Sequence, residues 1–408
     1  MANLPSMEQN SLQRKTIFGV VCGAHFLNHF QSSMISVIYP LMMKDLGIGL
    51  VAIGSITAAY GMVSNVAQAL YGFVVPYIRR AVILGAGNVL LGLSVFATGF
   101  ASAYPHLLTT RILGGVGSSP QHPVGSTMLA SYYQKARGRA LAFHSTAGNL
   151  GSLVGPLLAA MAIGYLGWRG VFWMLGFLGI LMGAIFLTFR DTLRPAAPDK
   201  PRSKLTPLGW SAYRKCLKNR NILIISLVFM VGAAGRGQGI NETYIIPHFV
   251  NDLHVDLTYA AFLFTLIQMG GFFGPILWGW ASDRFRRTRI IQISLLFSAL
   301  STLWLGWQQN ISIALFSNLI FYGTVVTSRQ TLTQALLSDI VDEDVLDAAF
   351  SLYYFIGFVS IPFWTLVTGG VMSKFGFGTA FTMISSSYLL GVGLLSLLDI
   401  RDKQDHLA

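Results

Sequence analysis

The stretch YGFVVPYIRR, residues 71–80, closes one long apolar run, and WGWASDRFRR, residues 278–287, closes another. Superposed, they share an aromatic–glycine pair at one end and an Arg–Arg pair at the other, at an offset of 207 (279 − 72). The same shift carries Asp45-Leu46 onto Asp252-Leu253, Pro40 onto Pro247 and Gln31 onto Gln238, and it brings Pro156 within one residue of Pro362. One ungapped register held across half a chain marks a duplicated unit.

Each unit is built for lipid. Of 408 residues, 53% are hydrophobic and only 11% charged, where a soluble domain carries about a quarter charged. Apolar runs long enough for a ~30 Å hydrocarbon core recur along the whole length. They predict twelve spans, at 16–40, 50–75, 81–102, 105–132, 138–164, 169–190, 221–248, 257–281, 289–308, 311–338, 346–372 and 377–398. The polar leader before the first run contains Glu8, and the run is too long for a signal-peptide core, so no cleavable signal is expected.

The polar, proline-bearing segment 191–220 divides the chain into two six-span halves, 1–190 and 221–408, and reads as a cytoplasmic linker carrying a short interfacial helix. The expectation is an all-α polytopic membrane protein of twelve transmembrane helices in two pseudo-symmetric six-helix bundles. In such a parallel repeat the solute site lies between halves that rock around it.

A net charge of +12 suggests a nucleic-acid partner until its placement is considered. Arg14, Lys15, Arg79, Arg80, Lys135, Arg137, Arg139, the linker, Arg284 to Arg289, Arg401 and Lys403 all fall on one side of the predicted topology. That asymmetry puts both termini in the cytoplasm and leaves no need for a polyanion. The two cysteines, Cys22 and Cys216, imply neither disulfide nor metal site. With no phosphate-binding glycine loop, HExxH or spaced Cys/His motif, neither enzyme, metal nor cofactor is expected.

The repeat also pairs residues that did not define it. His29 falls on Arg236, and His122 on Arg329. In span 1, His25, Asn28, His29, Ser32 and Ser36 form one helical stripe. Hydrogen bonding to a neighbouring helix suits the serines and His25, whereas His29 is read as facing a cavity. In span 4, Pro120 and Pro123 break the ladder around His122.

Span 7 holds Arg236, Gln238, Asn241 and Glu242. Arg236 and Glu242, six residues apart, are poorly aligned for an internal pair. Arg329 has no acid nearby in sequence; Asp339 is about 15 Å further along the helix. Two guanidiniums with at most one mid-membrane acid leave positive charge unbalanced, and the solute is read as supplying the anion. The expected binding set is Arg236 and Arg329 as clamp, His29 and His122 opposite, and Gln31, Gln238 and Asn241 as polar neighbours. His29, His122 and Glu242 are candidates for the coupling proton. The alternatives carried beside anion transport are a broad drug/proton antiporter and, remotely, a membrane enzyme or sensor.

These features resemble the major facilitator superfamily over essentially the whole chain. Its loop signature, G-x-x-x-D-R-x-G-R-R, is matched by GWASDRFRR at 279–287, while the first copy has Pro76 where the acid stands. The resemblance implies a cytoplasmic latch using Gly279, Asp283, Arg284 and Arg287, paired with the acidic stretch 338–347. RILGGVG at 111–117 is similar to the family's R-x-x-x-G-x-G, which adds Arg111 to the proton-coupling candidates. GSLVGPLLAA at 151–160 is close to an antiporter pattern but reads first as helix packing. AHFLNHFQS, GSSPQHP and GNLGSLVGPLLAA are similar to the fosmidomycin-resistance group of efflux proteins. The family implies alternating access in the cytoplasmic membrane by a monomer with protons as co-substrate, with import and export both open.

Overall fold

The computed structural model describes residues 7–75, 77–133, 137–189, 210–232, 240–341 and 346–398. Among the described residues the secondary structure is helical and no strand occurs. Among the described residues each predicted span falls largely on helix. Span 1 is α1 (Met7–Leu46), span 2 α2 (Leu50–Val74) and span 3 α3 (Arg80–Thr98). Span 4 is split into α4 (Tyr104–Ser118) and α5 (Pro123–Tyr132), because Pro120 and Pro123 cannot continue the hydrogen-bond ladder.

Spans 5 and 6 form α6 (Arg137–Thr188), 52 residues turned at Gly167, whose φ of 64° favours a residue without Cβ. In the linker, α7 (Trp210–Lys218) is the short helix expected there. Span 7 comprises α8 (Arg220–Val231) and, beyond 233–239, α9 (Ile240–Thr243) and α10 (Ile245–Asn251). Spans 8, 9 and 10 are α11 (Leu257–Arg284), α12 (Arg287–Trp307) and α13 (Ile313–Ile340). Spans 11 and 12 form α14 (Leu346–Leu395), turned at Gly376 with φ 80°.

Six of the described helical segments are long and apolar enough to cross a membrane. Two of them, Phe143–Thr188 and Leu352–Leu395, run 46 and 44 residues. At 1.5 Å per residue each is about twice the ~30 Å crossing length and supplies two passes around its glycine turn.

The chain forms two compact units, one of residues 1–47 and 59–200, the other of 48–58 and 201–408. In the first unit α1 and α3 pack on α6, and α3 packs on α4. In the second, α8 and α12 pack on α14, and α12 packs on α13. The pairings correspond under the repeat: α1 with α8, α3 with α12, α6 with α14.

Small residues set these contacts. A Cβ on Gly151 or Gly155 would run into the α1 backbone at Phe26 and Phe30, so this part of GSLVGPLLAA brings two helices close together. The apolar core of the first unit gathers Ile17, Val21 and Ala24 of α1 with Leu84, Met128 and Phe186. Within the second unit, the Tyr244 hydroxyl donates to the Thr365 carbonyl at 2.6 Å. Gly54 and Gly369 leave the space that this phenol occupies.

Candidate functional site

Two polar centres stand out, one inside each unit. In the first, α1 presents His25 and His29 one helical turn apart. The proline break delivers His122 as the residue just before α5. The His25 ring lies 4.7 Å from that of His29 and 5.0 Å from that of His122, both edge to face, and His29 and His122 are 5.8 Å apart. A fourth ring, His144 of α6, stacks on His25 with centroids 3.9 Å apart and planes 4° from parallel.

Burial falls across the group: His25 and His144 are buried, His29 is half-buried and His122 exposed. Gly148 opens the space for it. A Cβ there would lie 2.7 Å from His25 Cε1 and 2.9 Å from His29 Cδ2. His29 Nδ1 is 3.3 Å from the Ser152 hydroxyl.

The tautomer of His25 follows from its partner. Its Nδ1 lies 2.7 Å from the His144 carbonyl oxygen, which can only accept, so Nδ1 carries the proton. In the neutral ring Nε2 is then a bare lone pair, buried and without a hydrogen-bond partner. Its burial is notable, since buried polar atoms are nearly always satisfied.

The second centre surrounds Arg329 of α13, whose side chain is only 1% exposed. α8 ends at Val231, with Gly232 as its cap. The Arg329 Nη1 donates to the Gly232 carbonyl, and Trp364 Nε1 donates to that of Met230 at 2.9 Å. The guanidinium carbon lies 5.8 Å from the ring centroids of both Phe229 and Tyr388. Tyr322 donates to Asn241 Oδ1 at 2.8 Å, and the Tyr353 hydroxyl is 2.6 Å from that of Thr333. Arg329 Nε and Nη2 remain buried without a partner, and among the described residues no carboxylate pairs with this cation.

The other expected site residues distribute as follows. Asn241 is at the Arg329 centre through Tyr322, and Glu242 is half-buried in α9. Arg236 and Gln238 lie outside the described residues, as does the side chain of Asp283. Gln31 is not among the histidines: its Nε2 donates to the Leu175 carbonyl at 2.8 Å, in the packing of α1 on α6. Arg111 is buried with its guanidinium 4.3 Å from the Tyr60 ring centroid.

At the end of α11, Gly279 has open space beside it and Arg284 stacks over Trp280 at 4.6 Å. Arg287 Nε donates to Asp339 Oδ2 at 2.7 Å, which is the pairing expected between the basic loop and the acidic stretch. Arg169 pairs with Asp45 at 2.5 Å and stacks on Trp168.

Sequence reasoning missed His144, Tyr388 and Phe229. His144 is four residues before Gly148 and shares its helical face, a weak signal when the partner helix is 119 residues away. Tyr388 and Phe229 carry no polar periodicity of their own.

The Major Facilitator Superfamily profile matches residues 21–240 and 237–407. The chain is 24% identical over 341 residues to the 4-hydroxybenzoate transporter PcaK of Pseudomonas aeruginosa, covering 76% of this chain and 75% of that one. It is 27% identical over 300 residues to the fosmidomycin resistance protein of Escherichia coli, with 71% of each chain covered. A probable L-galactonate transporter of Escherichia coli matches at 24% over 278 residues, 64% of this chain, which spans 59% of that relative's length. Among solved structures, the nucleoside transporter NupG superposes with a TM-score of 0.80 at 13% identity, over 93% of this chain and 99% of that one.

Proposed function

Because the chain belongs to the major facilitator superfamily, whose members are multi-pass transporters rather than enzymes, we propose that it moves a small organic anion across the cytoplasmic membrane by alternating access, coupled to protons. The observation that carries this reading is Arg329. A guanidinium held at 1% exposure in a bilayer protein costs several kcal/mol unless its charge is met. Among the described residues its Nη1 donates to one carbonyl, a group without charge, while Nε and Nη2 have no partner. Two remaining nitrogens, Nε and Nη2, form one edge of the fork that carboxylates, sulfonates and phosphates fit in parallel hydrogen bonds.

Tyr388, Tyr322 and Asn241 add polar neighbours at that depth, and Phe229 adds an apolar wall. Arg236 and Gln238 are proposed for the same binding set, with His29 and His122 as the repeat counterparts of the two arginines. Relatives named for transport of 4-hydroxybenzoate and L-galactonate, both carboxylates, support the class of solute without fixing its identity. Glu242, His29, His122 and Arg111 remain the candidates for the proton. The protein works as a monomer with both termini in the cytoplasm.

Uptake into proteoliposomes under an imposed pH gradient, across carboxylates, sulfonates and phosphonates, tests the reading. Arg329→Lys keeps the charge and loses the fork, so its affinity for the transported anion should fall. Unchanged affinity in both Arg329→Lys and Arg236→Lys would remove the clamp. Resemblance to the fosmidomycin resistance protein favours one rival, a drug/proton antiporter. Protection of cells against many unrelated cationic toxins, with no anion flux, would select that rival.

A further inference from the structure

The histidines of the first unit meet requirements that anion binding does not impose. One ring nitrogen from each of His25, His29 and His122 lies within 4.8 Å of the other two. His25 is oriented in the manner of a metal ligand: the Nδ1 proton is held by the His144 carbonyl at 2.7 Å, which directs the Nε2 lone pair away from that contact. Metal-binding imidazoles ordinarily fix their tautomer by donating the other N–H to a carbonyl or carboxylate in this way. That lone pair is buried with no donor to meet it, and a cation would satisfy it.

We propose that His25, His29 and His122 form a binding site for one divalent first-row transition-metal ion of the zinc class. Three imidazoles without a carboxylate among them suit zinc, copper, nickel or cobalt, and disfavour calcium or magnesium, which take oxygen ligands. Zn–N bonds of about 2.0–2.1 Å place tetrahedral ligand atoms ~3.3 Å apart, so atoms within 4.8 Å of one another need close by no more than ~1.5 Å.

The two rings that must move are the less confined ones, half-buried His29 and exposed His122. His25 stays fixed by its carbonyl and by stacking on His144. The exposed His122 gives the ion an entry route, which a built site requires. Three protein ligands leave a fourth position for water or an anion, as in zinc sites that exchange ligands. That anion also offsets the charge which neutral imidazoles leave uncompensated. The site stands on geometry within one unit and does not depend on Arg329 or on the direction of transport.

The test is direct binding to the full chain, purified in detergent, freed of its affinity tag and stripped with a chelator. Zinc chloride titrated by calorimetry, with retained metal counted by mass spectrometry, should give one ion per chain. His29→Asn and His122→Asn, both at positions that are not fully buried, should each weaken binding at least about tenfold. The double variant should retain no stoichiometric zinc while eluting and melting as wild type does.

His106→Asn and His254→Asn, at exposed histidines outside the cluster, should leave the affinity unchanged. Cobalt(II) should show the intense visible absorption of a tetrahedral nitrogen site. Absence of stoichiometric zinc in the wild type, or full retention in the His29/His122 double variant, overturns the proposal. Because the assay uses zinc alone and measures no flux, its failure leaves anion transport untouched, and failure of anion uptake leaves the metal site untouched.

Discussion

The Arg329 guanidinium donates to the carbonyl of Gly232, the residue that caps the end of α8. One side chain thus ties α13 to the end of α8 and, among the described residues, leaves Nε and Nη2 for something else. Replacing it with methionine removes the donor to Gly232, at a cost of about 1–3 kcal/mol, and also removes a buried charge that has no counter-ion. These effects oppose each other, so Arg329→Met should melt near the wild-type temperature while losing anion binding. Arg329→Lys should bind the transported anion about tenfold to a hundredfold more weakly, the loss of ~1.5–3 kcal/mol for a charged hydrogen-bond pair. Calorimetric binding and thermal unfolding on the same preparations check both. Collapse of Arg329→Met with no anion ever found to bind would assign the residue to structure alone.

Gly148→Ala addresses the histidine group. Its Cβ would sit 2.7 Å from His25 Cε1 and 2.9 Å from both His25 Nδ1 and His29 Cδ2. His25 is pinned and cannot yield, so overpacking should cost about 1–3 kcal/mol. At Gly19, also inside a helix, a Cβ meets nothing within 4 Å, and Gly19→Ala should be neutral or stabilising by up to ~1 kcal/mol. Unfolding curves for the two variants should therefore move apart. Equal behaviour would mean that the rings are less fixed than their contacts imply.

Spacing and hydropathy were enough for the helices, the linker helix and the break at Pro120 and Pro123, because each is decided locally. The 207-residue register also paired His29 with Arg236 and His122 with Arg329. Contact partners are a different matter. Gln31 matched Gln238 in the repeat yet donates to Leu175 in helix packing, since a repeat preserves position but not partner.

The imidazole group could not be found from spacing, because His25 and His29, His122, and His144 come from three helices joined only by folding. For that reason a metal was not expected from the sequence. Tyr388 was missed for the same cause: its phenol becomes informative only where α14 places it 5.8 Å from the Arg329 guanidinium.

Arg287 spans Asp339 at 2.7 Å and the Ser282 hydroxyl at 2.9 Å. With the Asp339 side chain 43% exposed, the pair should contribute no more than about 1 kcal/mol to stability. A double-mutant cycle with Arg287→Gln and Asp339→Asn should give a coupling of ~0.2–1 kcal/mol. That coupling should fade at 1 M salt, where the screening length is about 3 Å. If the pair also latches the transport cycle, each single variant should change the uptake rate more than it changes stability, and exchanging the two charges should recover the rate. A rate unaffected by breaking the pair rules out the latch.

Asp252, the repeat counterpart of Asp45, pairs with His248 rather than with an arginine, Oδ2 lying 3.2 Å from Nδ1. Hydrogen bonding from that ring holds the Asp252 carboxyl below its ordinary value, while partial burial pulls the other way and the charge of His248 assists. A carboxyl whose folded value is depressed stabilises the fold above its unfolded pKa, and that contribution is lost as pH falls through the depressed value. Asp252→Asn should therefore be slightly less stable than wild type at pH 7. The margin should be under about 1 kcal/mol, because the carboxylate is half exposed. The difference should begin to close near pH 4, the ordinary carboxylate range, and vanish below the depressed value. Thermal unfolding of both proteins from pH 7 to pH 3 measures it. A gap that persists undiminished at the acid end would show that the carboxylate's charge is not its source.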